Sequence, residues 1–314
     1  MRRILWAAVL LAALGSARSQ PMPHHDEALQ RALEQAVRGF RGDVGVYARH
    51  LGTGQSAAIQ ADSLFPTASL VKVPILLTTF ARIEEGALAY DQPLVFRDSL
   101  RYDAPEDILV WFKDGAEISL SEVVLLMLTV SDNTASLWLQ QLVGEAVPDG
   151  GGYSRRWGRG GVAINDWLAA NGFQKTRTNS GVPGREEAYE TYGWAQTTPA
   201  EMAEMLVRIR RGQAVSPAAS ATMYRALTRS YWDDGALSQI PPTVQAASKQ
   251  GWVDRSRSEV VLVNAPHGDY VFCVMTKDQE DERARPDNEG DALTRTVSRV
   301  LWSHFEPGSD WRSP

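Results

Sequence analysis

The chain has 314 residues, 44% hydrophobic, with one cysteine and a formal charge of −6. That length supports one large domain or two tightly packed lobes, and the acidic balance argues against nucleic acid or an anionic lipid surface as the main partner. Cys273, alone within the apolar run Tyr270–Met275, excludes an intrachain disulfide and a cysteine-rich metal site. Arg2 and Arg3 precede the apolar run Ile4–Leu14, and Ala17-Arg18-Ser19 places small residues where a signal peptidase reads. Residues 1–19 therefore read as an export leader and 20–314 as one mature domain, periplasmic or secreted. The apolar run is shorter than a spanning helix, so no stable membrane insertion is expected. The Pro-rich stretch with His24 and His25 reads as a flexible tail. None of the histidines (His24, His25, His50, His267, His304) falls in an H-E-x-x-H spacing, so no metal or cofactor is expected.

Leu29, Leu33, Ala36, Val37 and Phe40 recur at three and four, predicting a helix over Asp26–Phe40 that Gly42 ends. Val44–Ala48 alternates, Gly52-Thr53-Gly54 turns and Ser56–Ile59 returns, a hairpin by pattern. A polar stretch (Asp62, Ser63, Pro66) then yields to Val71, Val73, Ile75, Leu76 and Leu77, a buried helix running to about Gly86. Ser119 and Glu122 have the form of a capping box before the core helix Val123–Val130, which ends in Ser131-Asp132-Asn133. Pro148–Gly161 is too glycine-rich for a regular element and reads as an exposed loop, with helix resuming at Val162–Ala170. Thr198, Pro199 and Glu201 start another helix by cap, first-turn proline and closing glutamate, its apolar face Met202, Met205, Leu206 and Ile209. Ala246–Val253, Glu259–Val263 and Gly268–Thr276 predict strands, and Ala292–Trp302 a final helix. Strands at both ends with a helical middle imply an α+β fold: one antiparallel sheet built from both termini, flanked by helices, with an all-α lobe inserted. The α/β lobe takes about 26–84 plus 231–314 and the helical lobe about 85–230.

The candidate chemistry starts at Ser69 and Lys72. Residues three apart share a helix face. A lysine dehydrated enough to lose its proton can take one from a serine, and the helix N-terminus favours the charge that develops on the oxygen. Alone the pair is a weak signal, equally explained by a capped helix with a solvated lysine. Two further triplets stand at element junctions, Ser131-Asp132-Asn133 and Lys249-Gln250-Gly251.

In this order the three resemble the S-x-x-K, S-D-N and K-T-G set of class A β-lactamases and penicillin-binding proteins. Thr197-Thr198-Pro199-Ala200-Glu201-Met202 resembles the Thr-Thr-Pro helix start of the class A enzymes, and the resemblance covers nearly all of 20–314. It implies a serine β-lactamase-like fold and an exported monomer acting on a β-lactam or a cell-wall peptide. Ser69 would be acylated, and Lys72 would take its proton or orient a water that does. Ser131, assisted by Lys249, would protonate the leaving nitrogen. Asn133 would hold a substrate amide, and the N–H groups of Ser69 and Trp252, beside Gly251, would form an oxyanion hole.

The sequence also departs from the pattern. Gln250 stands where the family has Thr or Ser, leaving Arg255 and Arg257 as candidates for the substrate carboxylate. A gapless match puts Val182 where the deacylating glutamate belongs, and Ser180 and Ala195 where an Arg–Asp pair braces the loop. Glu186, or the adjoining Glu187, could serve as base in a rearranged loop, a solvated acid being the alternative. Trp157 and the arginines of 148–161 could cover the site. A β-lactamase is the first reading; a D-Ala-D-Ala peptidase, penicillin-binding protein or esterase of the same fold is the second, and a non-catalytic binder of cell-wall peptide the third.

Overall fold

Alternating apolar residues from the two ends of the chain meet in one sheet. The computed structural model describes residues 21–102, 104, 106–147, 151, 153 and 155–312; the leader 1–19, and part of the 148–161 segment, lie outside them. The elements run β1 (His24–His25), α1 (Glu27–Val37), β2 (Asp43–His50), β3 (Gln55–Ile59), β4 (Phe65–Pro66) and α2 (Lys72–Glu84). Then follow β5 (Pro93–Val95), β6 (Glu117–Ser119), α3 (Leu120–Thr129), α4 (Asn133–Glu145), α5 (Gly158–Ala170), β7 (Arg177–Thr178), α6 (Glu186–Tyr192), β8 (Ala195–Thr197), α7 (Pro199–Arg210) and α8 (Pro217–Leu227). The chain closes with β9 (Ala246–Val253), β10 (Ser256–Val263), β11 (Tyr270–Lys277) and α9 (Glu289–Phe305). The main sheet has the order β1-β3-β2-β11-β10-β9, antiparallel except for β1 on β3.

Both faces of that sheet are covered, which is why β10 and β11 read as apolar runs. Val260, Leu262 and Cys273 pack with α2 to α8; Val261, Phe272 and Val274 pack on the other face with α1 and α9 through Leu29, Leu33 and Leu301. Cys273 is fully buried and its thiol is pushed up by desolvation, as befits a small core side chain. Among the described residues no helix is long and apolar enough to cross a membrane.

Three sequence expectations need correction. His24 and His25 are not a free tail: His24 N–H donates to Gly54 O at 2.8 Å and the pair extends the sheet. Glu201 does not close a capping box. Thr198 caps α7 by accepting from Glu201 N–H, while the Glu201 carboxylate reaches out to the N–H groups of Gln174, Lys175 and Thr176 at 2.7, 3.0 and 2.7 Å. By contrast the Ser119–Glu122 capping box is complete.

The third correction concerns the glycines. Gly158, Gly160 and Gly161 form the first turn of α5, which packs backbone to backbone on α4. A Cβ on Gly160 would stand 1.7 Å from Gln140 O, one on Gly158 2.2 Å from Gly181 O, and one on Gly161 2.4 Å from Val182 Cγ2. Close approach outweighs the roughly 1 kcal/mol by which each glycine disfavours helix. Gly160→Ala is therefore expected to lower stability by about 3 kcal/mol or more, the upper end for overpacking, as a fall in the urea unfolding midpoint; an unchanged midpoint would contradict the contact.

Candidate active site

A strained turn presents Ser69. It lies in a 3-10 turn, Ala68–Val71, that leads into α2, and Ala68 has φ +43°, a left-handed conformation costly for a residue with a Cβ. The turn is held from outside. Thr67 N–H and hydroxyl donate to Ala195 O at 3.0 and 3.2 Å, and Leu70 N–H donates to Thr67 O at 2.9 Å. Gly251 of β9 presses against it so closely that a Cβ there would stand 2.7 Å from Ser69 N and 2.8 Å from Thr67 O. The glycine of the strand triplet is required by this approach.

Lys72, on the next turn, is fully buried. Its Nζ lies 2.9 Å from Ser69 Oγ, 2.9 Å from Ser131 Oγ, 2.5 Å from Ser131 O and 2.8 Å from Asn133 Oδ1. Ser131 reaches this position with φ +65°, and its Oγ also accepts from Lys249 Nζ at 3.0 Å. Two lysines thus flank one hydroxyl. Burial, and then the neighbouring Lys249 charge, hold the Lys72 amine well below the ordinary lysine range, against the opposing pull of Asp107, Asp132 and Glu106. Burial also draws Lys249 down to about 7, a fall resisted by Glu259 of β10. Glu259 is enclosed, accepting from Ser248 Oγ at 2.7 Å and Ala236 N–H at 2.8 Å, and its carboxyl is raised by desolvation.

Two buried carboxylates hold the Ser131–Asn133 corner at the α4 N-terminus. Asp132 accepts from Ala135 N–H at 2.7 Å and Leu109 N–H at 3.0 Å. Asp107 accepts from the N–H groups of Asn133 and Thr134 at 2.8 and 2.7 Å and from the Thr134 hydroxyl at 2.9 Å. Asp132 holds the corner from within the triplet; Asp107 has no sequence signal, since its partners are 26 and 27 residues away.

These groups open on a cleft of about 1300 Å³ whose walls include Ser69, Ser131, Asn133, Lys249, Gln250, Gly251, Trp252 and Arg255, together with Tyr102, Glu106, Trp157, Tyr189, Trp194 and Trp232. The two loop acids are not assembled with Ser69. Glu186 and Glu187 are exposed at the start of α6, with Glu186 accepting from Gly184 N–H at 3.2 Å, and neither lines the cleft. Val182 is buried against Gly161. In place of an Arg–Asp brace, Arg185 donates to Asn179 Oδ1 at 2.8 Å and Gln196 Oε1 at 2.7 Å, tying the loop shut. Trp157 sits on the cleft wall, its indole N–H donating to Ser180 Oγ at 3.2 Å. Gln250 donates to Trp232 O. Arg255 ends beside Glu282 at 3.6 Å, and Arg257 is buried and bonded to backbone carbonyls.

The fold is that of the serine β-lactamases and their penicillin-binding relatives. A point mutant of PBP-A, solved as an acyl-enzyme complex with penicillin G, superposes with a TM-score of 0.75 at 26% identity, over 91% of this chain and 99% of that one. An ancestral class A β-lactamase gives 0.73 at 22%, over 88% and 99%. In sequence, β-lactamase AST-1 of Nocardia asteroides is 28% identical over 280 residues, 82% of this chain and 77% of that protein. β-Lactamase VEB-1 of Pseudomonas aeruginosa is 18% identical over 290 residues, 87% and 89% of the two. The β-lactamase enzyme family model matches residues 28–305, and the chain belongs to that family.

Burial of the lysines has a measurable signature. In lysine-selective NMR the Lys249 ammonium is expected to titrate near 7, and Glu259→Gln, which removes a favourable negative charge, to move it lower; an upward move contradicts the arrangement. Because unfolded Lys249 keeps its proton to about 10.5 and the folded form releases it near 7, the unfolded state binds more protons between those values, and stability is expected to rise with pH across that window. Lys249→Met should flatten the rise in pH-dependent urea unfolding.

Proposed function

We propose that the protein is an exported serine acyl-transfer enzyme that reacts through Ser69 with β-lactams or cell-wall peptides and releases its acyl group slowly. The observation that carries this is the continuous series Ser69 Oγ, Lys72 Nζ, Ser131 Oγ, Lys249 Nζ, with successive separations of 2.9, 2.9 and 3.0 Å. A neutral Lys72 takes the Ser69 proton as Oγ attacks the carbonyl. The proton passes through Ser131 to the leaving nitrogen, and Lys249 holds Ser131 in line. Asn133, anchored by Lys72, offers its amide N–H to an acyl side chain, and the Ser69 N–H beside Gly251 contributes to the oxyanion site with Trp252 N–H. Slow release follows from the loop 180–194, which presents Ser180, Tyr189, Thr191, Tyr192 and Trp194 to the cleft and no carboxylate. This behaviour suits a penicillin-binding protein more than a resistance enzyme. Fast turnover would have a structural opening in Glu106, an exposed carboxylate on the cleft wall whose charge is felt at Lys72.

Intact-mass analysis with benzylpenicillin tests this. A long-lived adduct is expected on Ser69 and none on Ser69→Ala, and Lys72→Met should slow acylation by about 100- to 10,000-fold. Rapid return of free enzyme would overturn slow release and direct attention to Glu106→Gln. Glu186→Gln and Glu187→Gln are expected to leave the release rate unchanged; a slowed release in either would bring that acid back to the site.

A further inference from the structure

Away from the cleft, the end of β2 and the C-terminus of α7 border a second hollow of about 340 Å³. Leu51, Gly52, Arg210, Arg211 and Asp269 line it, and none of these lines the cleft. Four guanidinium groups stand on or beside it. Arg208 and Arg210 each have a carboxylate: Arg208 Nε donates to Glu204 Oε1 at 3.0 Å, and Arg210 Nε to Asp269 Oδ2 at 2.7 Å. The other oxygen of Asp269 accepts from Asn264 Nδ2 at 2.9 Å.

Arg49 and Arg211 have none. Arg49, on β2, is 9% exposed, and its Nη2 donates to a neutral acceptor, Pro21 O, at 2.7 Å. Arg211, at the C-cap of α7, lines the hollow half-buried, and among the described residues its guanidinium meets neither a carboxylate within 4 Å nor a hydrogen-bond acceptor. Burial, and then the Arg49 charge, hold Arg211 below the ordinary arginine range, a fall that Glu204 opposes. The carbonyl end of α7 favours cations here but gives the Arg211 side chain no bond. Arg49 Nε and Arg211 Nη2 are enclosed and out of reach; a ligand in the hollow meets the open side of Arg211 next to Arg210, with the Arg49 charge behind. The loop N–H groups are already used, those of Gly52 and Thr53 donating to His50 Nδ1 at 3.2 and 3.0 Å, so recognition falls to the guanidinium groups.

We propose that this hollow binds a small phosphate, free or as a monoester, held by Arg211 and Arg210 with Arg49 supplying charge from behind. A phosphate monoester carries about −1.5 to −2 near neutral pH, which matches the two guanidinium charges that lack a carboxylate; a single carboxylate matches one. Its three oxygens also suit the forked N–H groups of arginine. The acidic balance of the chain, −6, disfavours a phosphate presented on an anionic lipid surface. The site stands whether or not Ser69 is acylated.

Thermal unfolding at constant ionic strength tests it, with inorganic phosphate, glycerol 3-phosphate or acetate replacing chloride. Phosphate is expected to raise the wild-type melting temperature along a saturating curve, by about 5 °C at a hundredfold excess over its dissociation constant. Arg211→Gln is expected to melt cooperatively in chloride and to lose the saturating rise. If that variant does not fold, Arg210→Gln, at a side chain 41% exposed, takes its place with the same expectation. An equal rise in the folded variant, an equal response to acetate, or no saturating rise in the wild type overturns the proposal. Tighter binding of glycerol 3-phosphate than of inorganic phosphate assigns the site to an ester, and the reverse order to free phosphate; both support it.

Discussion

Everything at the junction of the two halves depends on keeping one amine dry. Lys72 Nζ has four oxygen neighbours within 2.9 Å, from the Ser69 turn and from the α3–α4 corner. An ammonium has three N–H groups, so a fully buried lysine so surrounded is satisfied without water yet poorly solvated as a cation. Burial and the Lys249 charge suppress the charge of Lys72, while the contacts that fasten the turn to the corner keep the amine paired. The packing of the junction and the state of the amine rest on one arrangement, and Asp107 and Asp132 hold it by fixing the corner from behind.

The sheet supplies the second half of the frame. β9 is its outermost strand, and its Gly251 touches the Ser69 turn while Lys249 reaches Ser131. Ser69 is thus positioned against a strand edge and not by its own helix alone. The positive φ of Ala68 is sustained by that pressure together with the Thr67–Ala195 bonds. Family membership agrees with this frame, and the low identities to the β-lactamase relatives leave chemistry to be argued from the side chains themselves.

Much of this was legible in the sequence because it is local. Ser69 and Lys72 lie one turn apart, the Ser119–Glu122 box spans one turn, and β10 and β11 read as uninterrupted apolar runs. What was hidden is contact between distant segments. Gly158, Gly160 and Gly161 read as loop residues because their requirement comes from Gln140, Gly181 and Val182 on other elements. Asp107 looks like any loop acid until α4 is placed over it. Arg185 gives no hint that it replaces the expected brace, since its partners Asn179 and Gln196 are brought together only by the loop's own closure. Gln250 was correctly placed on the strand, but its direction was set by Trp232, eighteen residues earlier.

The Tyr231–Trp232 segment is also a mechanical tie. One end is fastened to Thr129 and Val130, the residues immediately before Ser131, and the other to Gln250, the residue immediately after Lys249. Spreading the cleft therefore pulls simultaneously on both partners of the Ser131–Lys249 hydrogen bond. The width available to a ligand and the alignment of Ser131 with Lys249 are one coordinate in this molecule.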